Sequence, residues 1–327
     1  MQIETIFVRI SNGFDAAKSL LIETTKLLRG WTALILALLI TFAMSVGTFT
    51  LAILYNALVA WWSKRLGWKH PIQIAPALYG LLGYQLCYKR IAGVKSESLK
   101  SLMNPLKKDD VVILVANHFT ELGLIPLTWT LRRAIGWRWT WVIRNGSSAI
   151  VRIPMEALGS VITINRGDRK AALGTINQRI PKLAQQSRIF LIHPDGSRPS
   201  KRKIKRDRDH FLQKLAVYPS WLRYTKFYKA GGTQELYTAL AKTGMNVRIV
   251  HLVHGWNRES GNIIHPERMV NARFHAKLEE VHHYDIPATD DNEAWKTLMQ
   301  KLCKDANRQI DFWRSHRKIR EKSRISY

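Results

Sequence analysis

The pattern of apolar and polar positions changes character along the chain. Residues 31 to 63, WTALILALLITFAMSVGTFTLAILYNALVAWWS, contain no Asp, Glu, Lys, Arg or His. From about residue 110 short β-branched or aromatic runs alternate instead with longer segments of helical spacing: VVILVA at 111, RWTWVI at 138, VITI at 161, RIFLI at 188 and VRIVHLV at 247. Continuous apolar runs of this length suit strands buried on both faces. The segments 124–135, 169–187 and 233–243 between them are long enough for crossover helices. The pattern predicts an α/β fold with a mainly parallel, twisted sheet flanked by helices. A last helix is predicted near 290–314, with Asp290 as its cap, Glu293 three residues later, and Trp295, Leu298, Met299 and Leu302 on one face.

The uncharged run asks for a different solvent. About 20 apolar residues span a bilayer, so 31–63 predicts a membrane-embedded N-terminal helix, either one tilted span or a helical hairpin broken near Gly47. Trp31, Trp61 and Trp62 flank it as interfacial aromatics do. The run begins too late and is too long for a cleaved signal peptide, so it is expected to stay attached. Residues 14–28, FDAAKSLLIETTKLL, are amphipathic; they fit a helix lying on a membrane surface and equally one packed on the domain. The expected organisation is an amphipathic and membrane-embedded segment over 1–70, then an α/β domain over 71–327 with a basic insertion at 198–222 and the C-terminal helix.

Charge narrows the partners. The 51 Lys and Arg against 24 Asp and Glu give a net charge of +27, which calls for an anionic neighbour, nucleic acid or acidic phospholipid. The uncharged run favours an anionic phospholipid membrane, and no nucleic acid is expected. Lys64, Arg65 and Lys69 follow the run directly, so the positive-inside tendency puts the C-terminal part in the cytoplasm, at a bacterial inner membrane. Two basic stretches, RPSKRKIKRDRDH at 198–210 and RSHRKIREKSR at 314–324, read as a solvated connection and tail. Cys87 and Cys303 stand far apart without a CxxC or Cys/His spacing, so neither a disulfide framework nor a thiolate metal site is suggested.

Three spots each follow a predicted strand, where open α/β sheets gather their ligand sites. They are Asn117-His118, Asn165-Arg166, and HPDGSR at 193–198. Arg166 and Arg198 on neighbouring strand ends would form a fork for a phosphate, with His118 close enough to act on what the phosphate positions. Each spot alone reads first as a turn. His251 and His254 lie three apart on a strand and His282 and His283 are adjacent, so neither pair converges, and no metal site is expected. No GxSxG elbow or Walker A loop is present.

In order and spacing together the motifs resemble the lysophosphatidic acid (1-acylglycerol-3-phosphate) acyltransferase family. NHFTELG is similar to that family's NHxxxxD, LGSVITINR to its GxIFIDR with Gly159 and Arg166 in place, and HPDGSR to its FPEGTR with Pro194, Gly196 and Arg198 retained. In the last of these His193 replaces Phe, Asp195 replaces Glu and Ser197 replaces Thr. Residues 227–253 are similar to its basic-Gly element, helix and fourth-motif strand, and the resemblance spans roughly 75–285.

The resemblance implies transfer of a fatty acyl group from acyl-CoA or acyl carrier protein to the hydroxyl of a lysophospholipid, most simply lysophosphatidic acid giving phosphatidic acid. No cofactor beyond that co-substrate is implied. His118 would be the base, since an unperturbed imidazole suits proton transfer near neutrality. Arg166, Arg198 and Lys229 would hold the phosphate, and Asn117, Asp195, Gly196 and Ser197 would position substrate. The family's Asp is replaced by Gly123, so Glu121 is the candidate to support His118, provided the segment turns helical there. Its alternative role is a first-turn acid at a helix N-terminus. A catalytically impaired membrane-binding protein of the same fold, and more remotely a basic nucleic-acid-binding protein, are the other classes the sequence leaves open.

Overall fold

The computed structural model describes residues 15–37, 39–40, 43, 83–96, 107, 109–118, 124–135, 139–144, 161–164, 169–184, 188–197, 199–257 and 270–325. The strands are β1 (Lys95–Ser96), β2 (Asp110–Ala116), β3 (Thr140–Arg144), β4 (Val161–Ile164), β5 (Ile189–Ile192), β6 (Asn246–Trp256) and β7 (Arg273–Glu280). They form a seven-stranded sheet in the order β1-β7-β6-β2-β5-β3-β4. Only β6 and β7 pair antiparallel; every other neighbour pair is parallel. The helices are α1 (residues 15–37), α2 (Leu124–Ile135), α3 (Arg169–Ala184), α4 (Lys201–Leu215), α5 (Ala230–Ala241) and α6 (Asn292–Ile325). This is the mainly parallel α/β sheet expected from the pattern.

The continuous apolar runs became the central strands. Every residue of β2 and of β5 is buried, because both are covered on both faces. β7 was not anticipated. Its sequence RFHAKLEE mixes charged with apolar positions, as a strand one place from the sheet edge can, and only Phe274, His275 and Leu278 are buried along it. α5 begins three residues earlier than expected, with Gly231 and Gly232 in its first turn. A Cβ at Gly232 would stand 3.3 Å from the Ile192 side chain, so the small residue lets α5 approach the end of β5.

The basic stretch expected to be a connection is instead the helix α4. Ser200 caps it by accepting the Lys203 N–H at 3.2 Å, and Ala216 closes it in a left-handed conformation. Ile204 is buried, Arg208 donates to the Leu222 carbonyl, and Asp207 accepts the Phe227 N–H. Phe211, seven residues after Ile204, packs on Trp221 and Phe227, so a sparse apolar face anchors a stretch of good helix formers whose polar groups are tied to the body. At α6 the cap is Asp291, which accepts the Ala294 N–H at 2.9 Å, rather than Asp290. Glu293 pairs with Lys296. Trp295, Leu298, Met299 and Leu302 form the buried face as expected.

α1 runs unbroken across residue 31. Gly30, Ala33 and Ala37 are buried, and Arg29 donates twice to the Ile91 carbonyl, which ties the helix to the body. Leu20, Leu21, Leu28, Ile35 and Leu39 are exposed. Among the described residues no helix is long and apolar enough to cross a membrane. Most of the 31–63 run, including the Gly47 break expected for a hairpin, lies outside the described residues.

The two ends of the sheet differ chemically. At the amino end of β2 the Arg248 guanidinium forks between Asp110 and Glu280, at 3.0 and 2.6 Å. Burial pushes the Asp110 carboxyl up, but hydrogen bonds from Asn246, the Lys107 N–H and Arg248 outweigh it and hold the group below its ordinary range. The charges there are mutually satisfied. The carboxyl end is where motif residues meet.

Candidate active site

β2 ends at Ala116, and Asn117 continues its pairing with a side chain. The fully buried Asn117 accepts the His254 N–H at Oδ1 and donates through Nδ2 to the His254 carbonyl, both at 2.9 Å. A carboxamide matches a peptide group donor for acceptor, so it extends the β2–β6 ladder one step beyond the backbone. The next residue, His118, thereby leaves the sheet at a fixed point. It is half-buried, and its N–H donates to Asp195 Oδ2 at 2.8 Å, although the two residues are 77 apart in sequence.

Asp195 belongs to the turn that follows β5. Gly196 adopts φ 70°, which favours glycine, and its N–H donates to the His193 carbonyl at 3.1 Å. The Ser197 N–H donates to the Asp195 carbonyl at 2.8 Å. Since β2 and β5 are neighbouring parallel strands, Asn117-His118 and the turn of residues 193–197 follow them side by side at the same end of the sheet. The His193 ring lies on the His118 ring, with centroids 4.7 Å apart and planes at 26°. His193 Nδ1 is 3.0 Å from the Ala116 carbonyl oxygen.

The segment leading into α5 closes the turn from the other side. Lys226, 6% exposed, donates through Nζ to the Asp195 carbonyl at 3.0 Å and to Ser197 Oγ at 3.2 Å. Burial lowers its ammonium; Asp207 and Asp195 oppose that, while Lys229 and Lys203 add to it. Lys229 stands exposed before the first residue of α5, and its N–H donates to the Pro194 carbonyl at 3.0 Å. Three lysines therefore gather around one turn, a local excess of positive charge suited to an anion.

The described motif residues Asn117, His118, Asp195, Gly196, Ser197 and Lys229 are thus brought together. Glu121, Arg166 and Arg198, with Asn165, Gly123 and Gly159, lie outside the described residues. β4 and β5, the strands before Arg166 and Arg198, are not the neighbours the pattern suggested, because β3 pairs between them. Asn117 and Asp195 have no exposed surface. Both hold backbone: Asn117 that of His254, and Asp195 that of His118. Lys226 was not singled out from the sequence. Its only signal is a lysine between aromatic residues in YTKFYK, and nothing local says that it is buried.

The remaining titratable groups take little part. His254 is held neutral, lowered to about 3 first by burial and then by the nearby His193. His251 is lowered to about 4 by burial and packs edge-on against Tyr228. His254 instead packs against Phe274 and bonds Asn117, so the two histidines diverge as expected. His282 and His283 both pack on Tyr284. Among the described residues no group of three or more His, Cys, Asp or Glu could hold a metal ion. The Cys303 thiol is pushed up to about 12 by burial, which removes it as a thiolate nucleophile.

No family model matches the chain, and no curated protein matches it in sequence. Among solved structures the chain is similar to the crystal structure of the 1-acyl-sn-glycerophosphate (LPA) acyltransferase PlsC from Thermotoga maritima. The identity is 15%, the match covers 86% of this chain and 98% of that chain, and the TM-score is 0.42. A score at that level carries neither fold nor function across.

Proposed function

We propose that the protein is an acyltransferase that moves a fatty acyl group from a thioester, acyl-CoA or acyl carrier protein, to the hydroxyl of a lysophospholipid, most simply lysophosphatidic acid. The observation that carries this is the bond from the His118 N–H to Asp195, which joins Asn117-His118 to the turn of residues 193–197 at the carboxyl end of the sheet. The half-buried imidazole accepts the hydroxyl proton as the oxygen attacks the thioester carbonyl. The C–O bond forms, the C–S bond breaks, and the thiolate leaves with the proton from the imidazolium. A thiol is a good enough leaving group that no acyl-enzyme is required.

Asn117 and Asp195 set where His118 leaves the sheet. Lys229, with Arg166 and Arg198, holds the phosphate, and Gly196 and Ser197 shape the turn beside it. Glu121 is proposed to orient the imidazole in place of the glycine at 123. The exposed leucines of α1 and the net charge of +27 support a site that works against an anionic membrane, with the uncharged run 31–63 embedded in it.

Protein in detergent is expected to release thiol from acyl-CoA only when a lysophospholipid is present, and His118→Ala is expected to lower the rate at least 10²-fold. Equal rates for the two proteins would falsify the mechanism. In the same assay Glu121→Gln is expected to reduce kcat more than it changes KM; an unchanged rate removes Glu121 from the site.

A further inference from the structure

The turn that bonds His118 rests on a buried ammonium. Lys226 Nζ donates to the Asp195 carbonyl at 3.0 Å and to Ser197 Oγ at 3.2 Å, from a side chain with almost no exposed surface. An ammonium has three hydrogens and no lone pair, so Ser197 Oγ can only accept from it. Burial works against that charge, and Lys229 and Lys203 add to the effect; Asp207 and Asp195 favour it.

The hydrogen of the Ser197 hydroxyl is thereby turned elsewhere. Among the described residues it meets no acceptor, and the Ser197 N–H is already spent on the Asp195 carbonyl. Ser197 is half-buried, so a ligand can reach its hydroxyl. Accepting from a cation polarises a hydroxyl and makes it a stronger donor. The same turn takes the Lys229 N–H at Pro194, with the Lys229 side chain exposed beside it. One polarised hydroxyl and one exposed ammonium together suit the oxygens of an anion.

We propose that Lys226 is a positioning residue of an anion subsite: it holds Ser197 Oγ as an acceptor, so that the Ser197 hydroxyl donates to a phosphate oxygen of the acceptor lipid. This rests on the reading that a lysophospholipid phosphate comes to the turn of residues 193–197. Lys226 touches no substrate; it acts through Ser197.

Binding of lysophosphatidic acid in detergent would be measured by calorimetry for the wild type, Ser197→Ala, Lys226→Met and the double variant, with monoacylglycerol, which lacks the phosphate, as second ligand. Ser197→Ala is expected to weaken lysophosphatidic acid about 10- to 100-fold, the loss of one hydrogen bond to a charged group, and to leave monoacylglycerol unchanged. Lys226→Met is expected to weaken lysophosphatidic acid strongly while Ser197 is present and little once Ser197→Ala has been made, because its effect passes through the hydroxyl. A lysine that only braces the turn would act on both lipids and in both backgrounds alike; equal losses in either comparison overturn the proposal. Should Lys226→Met fail to fold, the serine variants decide: binding lost in Ser197→Ala and kept in Ser197→Thr supports the hydroxyl donor, and unchanged binding in Ser197→Ala overturns it. Binding needs no turnover. A wild type that shows the coupling but transfers no acyl group would sink the acyl-transfer reading alone, whereas uncoupled losses in an active, His118-dependent enzyme would sink only this inference.

Discussion

Replacing Asn117 with alanine leaves the N–H and the carbonyl of His254 without their partners, at a position with no exposed surface. Two unsatisfied backbone groups cost roughly 2–4 kcal/mol, and denaturant unfolding is expected to show a loss of that size. A loss below about 0.5 kcal/mol would mean that water or a shifted strand end replaces the carboxamide. Activity is expected to fall as well, because His118 loses its fixed departure from β2. This dual effect explains how much of the site could be read at this scale. Asn117, His118 and the HPDGS turn were recognisable as chemical types in order. Their mutual roles were not, because the bond between His118 and Asp195 joins residues 77 apart. The stack of His193 on His118 was hidden for the same reason, and Lys226 gave no local sign of its burial.

Among the elements, α4 shows how a polar pattern misleads. A run rich in Lys, Arg and Asp carries few apolar residues, yet a serine cap, buried Ile204, Phe211 seven residues on against Trp221 and Phe227, and side-chain bonds to the 222–227 segment hold it as helix. Ser200→Ala is expected to lower stability by about 1 kcal/mol, read from denaturant unfolding, with Ser200→Asp restoring most of it. Since the cap Ser200 stands three residues beyond Ser197, the loss should also loosen the turn that bonds His118; hydrogen exchange at the Gly196 and Ser197 amides is expected to accelerate in Ser200→Ala. The central strands posed the opposite case. Full burial requires an unbroken apolar run, so β2, β3, β4, β5 and β6 could be found without tertiary knowledge. β7, near the edge, answers to a weaker rule and escaped.

For the molecule as a whole, two buried histidines couple stability to pH. Burial is the first cause in each, and it lowers His251 from 6.5 to about 4 and His254 from 6.5 to about 3. Below pH 6.5 the unfolded chain takes up these protons and the folded chain does not. The contribution is therefore fully present above the unfolded value and is lost as pH falls toward the folded ones. Each unit of separation is worth about 1.4 kcal/mol, so the two together contribute several kcal/mol. The denaturant midpoint is expected to drop clearly between pH 7.5 and 5, and less steeply in His251→Phe; equal slopes in the two proteins would place the pH dependence elsewhere.

The chain's own pattern determined the fold class, the central strands, the buried face of α6, and the identity of the motif residues, because burial on two faces and helical spacing are written in neighbouring positions. Tertiary structure alone decided that β2 and β5 lie side by side, that Asn117 pairs with His254, that Lys226 is buried beneath the turn, and that His193 rests on His118. Each of these depends on which strands become neighbours, a choice made by the packing of the whole sheet and not by any local stretch.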